Sequence, residues 1–202
     1  MSIDFFGKKQ QLFDLWAPNY DCLLTTVFYQ AVHKRLLEYV ELKEQGNVLD
    51  LGCGTGRLLN RLAQKFPHLQ GTGLDLSGKM IEQAKQQNQY EERLVYRQGN
   101  GESMPFADNQ FDAVFNTISF LHYPNPLLVL SEVSRILRPD GRFYLVDYSF
   151  REDLGLSYFP LSPGGLRFYS PQQRERLGTE VGLTCLEHQY LLCRVVLTIF
   201  AR

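Results

Sequence analysis

The sequence predicts an α/β fold, a mostly parallel sheet with helices on both faces, and three observations carry that prediction. From Asn47 to Asp147, short apolar runs alternate with amphipathic stretches. That is the grammar of βα units, whose strands are buried on both faces. Glycines crowd the turn after the first run, in Gly52-Cys53-Gly54-Thr55-Gly56. An acidic residue, Asp75, closes the second run.

The elements follow in order. Lys8 to Val40 reads as two helical stripes: Leu12, Phe13, Leu15 and Trp16 up to Pro18, then Val27, Phe28, Ala31, Val32, Leu36, Leu37 and Val40. Gly46 ends this arm. Val48–Leu51 is the first strand and Arg57–Lys65 the first helix of the core, with Leu58, Leu59 and Leu62 on one side. Gln70–Leu74 is the second strand, and a helix over Lys79–Gln87 opens after Ser77 as N-cap. Leu94–Gln98 and Phe111–Asn116 are the third and fourth strands. A helix over Leu127–Leu137 is stopped by Pro139-Asp140-Gly141, and Arg142–Asp147 is the fifth strand. Arg151 to Tyr169 is rich in Gly, Pro and aromatics and reads as a long ordered loop. Pro171–Gly178 is a helix with Ser170 as N-cap and Pro171 at its first position. Thr184–Gln189 and Leu191–Phe200 are so close that they form an antiparallel hairpin, which brings the sheet to seven strands.

Composition narrows the function. The 202 residues carry 21 basic against 22 acidic side chains, a net charge of −1. A dedicated nucleic-acid binder usually shows a basic surplus, so no nucleic-acid partner is expected. The opening residues hold no uninterrupted apolar stretch, and Val195–Ala201 is too short to span a bilayer, so a cytoplasmic protein without stable membrane insertion is expected. Cys22, Cys53, Cys185 and Cys193 show neither a CxxC pair nor the His–Cys spacing of a zinc site. They read as buried reduced thiols, and no metal is expected. The 14 Phe, 11 Tyr and single Trp are unusually many.

The glycine turn is where chemistry enters. A ligand lying against the backbone leaves no room for a Cβ, and the N–H groups of the following helix favour an electron-rich group. A carboxylate at Asp75 can accept from both hydroxyls of an adenosine ribose. This layout suits any adenosine-bearing cofactor with a Rossmann-like site. A nicotinamide dinucleotide is disfavoured, because its G-x-G-x-x-G fingerprint needs a third glycine where Arg57 stands.

Val48 to Gly56, Gly73-Leu74-Asp75-Leu76-Ser77, the stretch to Met80, Gly99-Asn100-Gly101-Glu102-Ser103-Met104-Pro105-Phe106 and Leu137-Arg138-Pro139-Asp140-Gly141 form an ordered set. With them the chain, from Phe13 to Gly182, resembles the class I S-adenosylmethionine-dependent methyltransferases, particularly the group of ubiquinone and menaquinone biosynthesis enzymes. The resemblance implies S-adenosyl-L-methionine as cofactor, with Gly52, Gly54 and Gly56 around its methionine part, Asp75 on the ribose, and Asp50 and Leu76 also in the cofactor site. Met80 would lie near the adenine, and Asn100, Gly101, Glu102 and Thr117 complete the implied cofactor site. Asn100 replaces the aspartate usual in the family. Its carbonyl oxygen keeps the acceptor and loses the charge, a difference of about 1 kcal/mol.

The same resemblance implies one methyltransferase domain over 1–202: a helical arm or lid over 1–45, a cofactor-binding core over 46–150, and an acceptor loop, late helix and hairpin over 151–202. Phe13 to Asp21 resembles a segment that covers the cofactor, with Tyr20 closing over its methionine end. A helix merely packed on the domain, anchored by Trp16, is the other reading of that arm.

Methyl transfer from a sulfonium asks mainly for alignment, so few side chains are obligatory. Thr117 to Tyr123 and Asp147 to Phe150 follow strand ends and should face the acceptor. His122 is the candidate general base; a ring packed at a helix start and held by a backbone carbonyl is the alternative. Tyr148 and Asp147 are further candidates, although Asp147 could equally cap the sheet. His33 and His68 read as exposed, and His188 belongs to no motif. Aromatics gather in the arm and after the fourth and fifth strands (Trp16, Tyr20, Phe28, Tyr29, Phe120, Tyr123, Tyr148, Phe150, Tyr158, Phe159, Phe168, Tyr169). They predict an aromatic-lined pocket for a small apolar or ring-bearing methyl acceptor. The acceptor atom, O, N, C or S, stays open. The alternatives are an S-adenosylmethionine-binding regulatory domain without catalysis and a nicotinamide-dependent oxidoreductase.

Overall fold

The computed structural model describes residues 2–16, 23–150, 158–159 and 165–202, without the side chains of residues 2–5, 16, 23–25 and 159. Two helices come first, α1 (Ser2–Trp16) and α2 (Leu23–Leu37). Strands and helices then alternate as β1 (Asn47–Leu51), α3 (Arg57–Lys65), β2 (Gln70–Asp75), α4 (Gly78–Gln86), β3 (Leu94–Gln98) and β4 (Phe111–Thr117). A short 3₁₀ turn (Phe120–His122) leads to α5 (Pro126–Ile136) and β5 (Leu137–Tyr148). The chain ends with β6 (Tyr158–Phe159), β7 (Leu166–Arg167), α6 (Pro171–Glu180), β8 (Thr184–Leu192) and β9 (Val195–Ala201).

Seven strands form one sheet in the order β3-β2-β1-β4-β5-β9-β8. The first five are parallel, while β9 runs antiparallel to β5 and to β8. Strand order reverses between β1 and β4, which opens a crevice beyond their carboxyl ends. Alternation along the strands supplies a core on each face. Val48, Ala113 and Phe115 pack with α2, α3 and α4, whereas Leu49, Leu51 and Val114 pack with α5. On α3 the residues Leu58, Leu59, Leu62 and Ala63 are buried, the stripe that the three-to-four spacing predicts.

The caps follow their chemistry. Ser77 accepts from the Met80 N–H at 3.2 Å to start α4, and Asn125 accepts from Leu128 at 3.3 Å to start α5. Ser170 and Gln173 form a reciprocal capping box ahead of Pro171 in α6.

Several local expectations are corrected. Pro139-Asp140-Gly141 is no break: α5 passes directly into β5 at Leu137, and the turn residues are absorbed as an irregularity opposite Phe111 to Ala113, with Asp140 at φ 64. The hairpin turns at Cys193-Arg194, with β8 running through to Leu192. Within Arg151–Tyr169 the described residues include a two-stranded ribbon, β6 with β7. His33 is buried rather than exposed, because α2 packs on α3 and Arg61 donates to His33 Nδ1 at 2.9 Å. Burial and the Arg61 and Arg57 charges push this ring down to about 3, so it stays neutral. Of the cysteines only Cys53 is buried; Cys185 is half-buried and Cys193 exposed, and Cys22 lies outside the described residues.

One side chain fastens the late elements to the sheet. Arg174, 1% exposed, donates to Val196 O at 2.9 Å, to Asp147 O and Tyr148 O at 3.0 Å each, and to Tyr169 O at 3.2 Å. These carbonyls end β5 and begin β9, so the guanidinium sets where α6 lies. Arg174→Met should lower the unfolding free energy by about 3 kcal/mol in urea titrations, since buried carbonyls lose a charged donor. A loss below about 1 kcal/mol would show that water takes over those carbonyls.

Candidate functional site

The glycine turn is shaped by what lies over it. Gly52 and Gly56 have φ 73 and 78, and Gly54 has φ 51. A Cβ on Gly52 would collide with the Ser119 hydroxyl, and one on Gly56 would stand 2.6 Å from the Tyr96 hydroxyl. Both the dihedral and the space therefore demand glycine. Asp75 ties the turn to the next helix: one carboxylate oxygen accepts from Gly54 N–H and the other from Ser77 N–H, each at 2.9 Å. Asn116 bridges the switch point, donating to Leu51 O at 2.8 Å and to Ser119 Oγ at 2.6 Å.

A cavity of about 440 Å³ opens over this turn. Gly52, Gly54, Asp75, Leu76, Met80, Asn100, Gly101 and Thr117 line one part of it. Phe6, Phe13, Phe28, Tyr29, His122, Tyr148 and Phe168 line another. Ten of the residues singled out from sequence are thus gathered around one space. Asp50 lies beneath the turn, in a smaller hollow shared with Gly52, Gly54 and Thr117. Gly56 faces Tyr96 instead of the cavity. Glu102 points away and accepts from Asn125 N–H at 2.8 Å, latching the loop to the start of α5. Asn100 Oδ1 accepts from Glu102 N–H at 2.9 Å, so one of its two lone pairs already serves the loop. Tyr20 lies outside the described residues, as does the Trp16 side chain.

Four buried polar atoms have no hydrogen-bond partner among the described residues: Asp50 Oδ2, Asn116 Oδ1, Thr117 Oγ1 and His122 Nδ1. Such atoms are rare in folded proteins and invite an explanation. Burial, with the neighbouring Asp75 charge, pushes Asp50 up to about 8. A cationic group at this end would be welcomed by both carboxylates and would restore their ionisation. An amino-acid ammonium beside a sulfonium meets that description, so the residues fit the cofactor that the motifs imply.

His122 sits edge-on against Phe13, ring centres 5.1 Å apart, and lacks the backbone-carbonyl anchor at Nδ1. Burial and then the Lys9 charge push it down to about 3, which leaves a neutral imidazole. Both carboxylate oxygens of Asp147 are engaged by backbone, from Leu121 N–H at 2.9 Å and Tyr148 N–H at 2.7 Å. Tyr148 stacks on Phe28, ring centres 6.0 Å apart and planes within 3°. Ile118, a cavity-lining residue, adopts φ 52, a strained conformation for a β-branched side chain.

Lys9 escaped the sequence reading. It is 2% exposed, lines the cavity and donates to Gly165 O at 3.4 Å; burial and the Arg167 charge lower it to about 8. The available signal was its helical face, since Phe6, Leu12 and Phe13 stand three and four residues away. Lys9 and Asp75 are the only charged side chains among the described residues lining the cavity.

The state of Asp50 makes a stability prediction. Its folded pKa stands above the unfolded value of 3.8, so between about 4 and about 8 the folded chain holds a proton that the unfolded chain has lost, and stability falls as pH rises. Asp50→Asn should therefore stabilise the ligand-free protein more at pH 8 than at pH 5, by at least about 1 kcal/mol, in thermal melts at both pH values. An equal effect at the two pH values would show that this carboxyl is ionised in the fold.

Residues 49–145 match the methyltransferase domain family. The chain is 34% identical over 157 residues to the demethylmenaquinone methyltransferase of Lactiplantibacillus plantarum, covering 74% of this chain and 66% of that one. It is 34% identical over 140 residues to the Thermotoga maritima enzyme of the same name, covering 68% and 60%. The chain thus spans less than two thirds of these relatives' length. Its fold superposes, with TM-score 0.82 and 21% identity over 94% of this chain and 96% of the other, on a chain from the complex of the Haloferax volcanii Trm112 methyltransferase activator with a methyltransferase. A glycine turn, a strand-end aspartate and the matching motifs between them agree, and residues 49–145 form a methyltransferase domain similar to those of these enzymes.

Proposed function

We propose that this protein transfers a methyl group from S-adenosylmethionine to a small apolar, ring-bearing acceptor. One observation carries the reading: the polar turn that suits the cofactor and the aromatic walls belong to a single cavity. The names of its demethylmenaquinone methyltransferase relatives agree with a ring-bearing acceptor.

The cofactor supplies an activated methyl on a sulfonium, so the reaction is an in-line displacement. The protein's part is to hold, orient and exclude water. Asp75 stands at the end of β2 with acceptor capacity left for the ribose hydroxyls, and the Gly52–Gly56 backbone admits the methionine part. Met80, 2% exposed, forms an apolar floor for the adenine, with Leu76, Asn100 and Gly101 beside it. Asp50 and Thr117 stand ready for the cationic amino group.

Phe28 and Tyr148, stacked on each other, form one wall of the acceptor half, and Phe6, Phe13 and Phe168 add to it. His122 offers its unpartnered Nδ1 to a polar group of the acceptor. A base held near 3 takes protons poorly at neutral pH, so its role here is orientation. Residues 1–45 act as the cover, 46–150 as the cofactor core and 151–202 as the acceptor side. No described helix is long and apolar enough to cross a membrane.

The test is a screen of small molecules with methyl-labelled S-adenosylmethionine, in which ring-bearing apolar compounds should be labelled and highly charged ones not. Absence of S-adenosylmethionine binding by calorimetry would remove the reading. Asp75→Ala should weaken cofactor binding at least about tenfold, as two hydroxyl bonds are lost. Phe28→Ala should leave cofactor affinity within about twofold and raise the acceptor KM about tenfold or more, the value of one lost aromatic contact. Equal damage to both constants would place Phe28 outside the acceptor half.

A further inference from the structure

A second cluster of chemistry-bearing side chains lies at the sheet's far edge. Glu175 on α6 and Cys185 and His188 on β8 face one another, and none of them lines the cavity. Residues three apart on a regular strand point to opposite faces. The register of β8 against β9 slips between Cys185 and Glu187, a bulge at Leu186 that returns Cys185 and His188 to the same side. Strand spacing alone hid the pair, since the sequence shows no His–Cys spacing of a zinc site and only the bulge brings Cys185 and His188 together.

The distances suit a cation. Cys185 Sγ lies 3.5 Å from His188 Nε2, and Glu175 Oε2 lies 4.0 Å from the same nitrogen. One ligand atom from each residue lies within 4.8 Å of the other two. Metal bonds of about 2.3 Å to sulfur and about 2.0 Å to nitrogen, meeting at the tetrahedral angle, put those two ends about 3.5 Å apart. The carboxylate must close by about 0.7 Å on the nitrogen and by up to about 1.3 Å on the sulfur, which Glu175, 57% exposed, can do by a side-chain torsion.

A further residue orients the ring. Thr198, fully buried on β9 and directly opposite His188, has its hydroxyl 3.0 Å from Nδ1. With Nδ1–H donating to Thr198, Nε2 carries the lone pair and presents it to Cys185 and Glu175. Metal-bound imidazoles usually have such a partner on the second nitrogen.

We propose that Glu175, Cys185 and His188 form a three-ligand site for a thiophilic divalent cation of the zinc type, with a fourth position open to water. Binding expels the thiol proton to solvent as the metal–sulfur bond forms. The ion ties α6 to β8 one residue from Arg174, whose guanidinium holds the Asp147 and Tyr148 carbonyls at the edge of the acceptor half. It thus braces one wall of the cavity without entering it.

The test uses the full chain under reducing conditions. Titration with Co²⁺ should give a sulfur-to-cobalt charge-transfer band, and titration with Zn²⁺ should bleach it at one ion per chain. Cys185→Ser should abolish the band, whereas Cys193→Ser should keep it. Zn²⁺ affinity should fall at least about tenfold in His188→Ala. Glu175→Gln, on the exposed rim, should weaken Zn²⁺ binding with the fold intact, which keeps the test decisive if a strand variant fails to fold. A band that survives Cys185→Ser, no band in the parent protein, or unchanged affinity in Glu175→Gln and His188→Ala would overturn the proposal and leave a thiol–imidazole hydrogen bond. S-adenosylhomocysteine affinity, read in parallel, reports separately on the methyltransferase reading.

Discussion

No side chain fits at Gly52 or Gly56 in the turn between β1 and α3, and much of the structure follows from that exclusion. Ser119 and Tyr96 close over Gly52 and Gly56 so tightly that a single Cβ would collide with either. The turn is therefore fixed by its neighbours as much as by its own dihedrals. Its amides hold it in shape: Gly52 and Cys53 N–H donate to Leu74 O, Gly54 N–H to Asp75 and Gly56 N–H to Cys53 O. Asn116 pins the same junction from β4 by holding Leu51 O and Ser119 Oγ at once. A crevice that opens at the strand-order reversal becomes a binding surface because these contacts keep it from collapsing.

The protein accepts a stability cost at that surface. Asp50 is buried beside Asp75 with one oxygen unpartnered, and Thr117 and His122 each bury an unpartnered atom nearby. Each such atom costs about 1–3 kcal/mol in a dry site. Elsewhere the buried polar groups are well served: Arg174 reaches four carbonyls and Asp147 takes two backbone N–H groups. The unsatisfied atoms are concentrated where a ligand would satisfy them. That contrast separates the site from the scaffold more sharply than any one distance.

Much of this was legible in the sequence, for physical reasons. Val48 to Leu51 is buried throughout, and β1, β2 and β3 were placed to within a residue because short strand-like runs alternate there with helical stretches. The helix α3 was placed at Arg57–Lys65 because its leucines recur at helical spacing. The misses share a cause: each depends on contacts distant in sequence. Pro139-Asp140-Gly141 has the chemistry of a turn, yet β4 pairs across it and keeps the strand continuous. The bulge at Leu186 turns an uninformative Cys-x-x-His spacing into a facing pair. His33 read as exposed and Lys9 went unread until their partners, Arg61 on α3 and Gly165 beside β7, were in place.

The N-terminal helices hold a particular place in this arrangement. Asp14 on α1 accepts from the Ser77 hydroxyl and from Lys79 N–H at 3.4 Å, at the first turn of α4. Ser77 in turn donates its N–H to Asp75, whose other oxygen holds Gly54. A continuous run of hydrogen bonds thus leads from the glycine turn to α1, and α1 carries Phe6, Lys9 and Phe13 into the cavity wall. The arm is fastened to the cofactor side while it shapes the acceptor side. The short polar relay from Asp75 through Ser77 to Asp14 therefore ties the helix that lines the acceptor side to the strand end that serves the cofactor side.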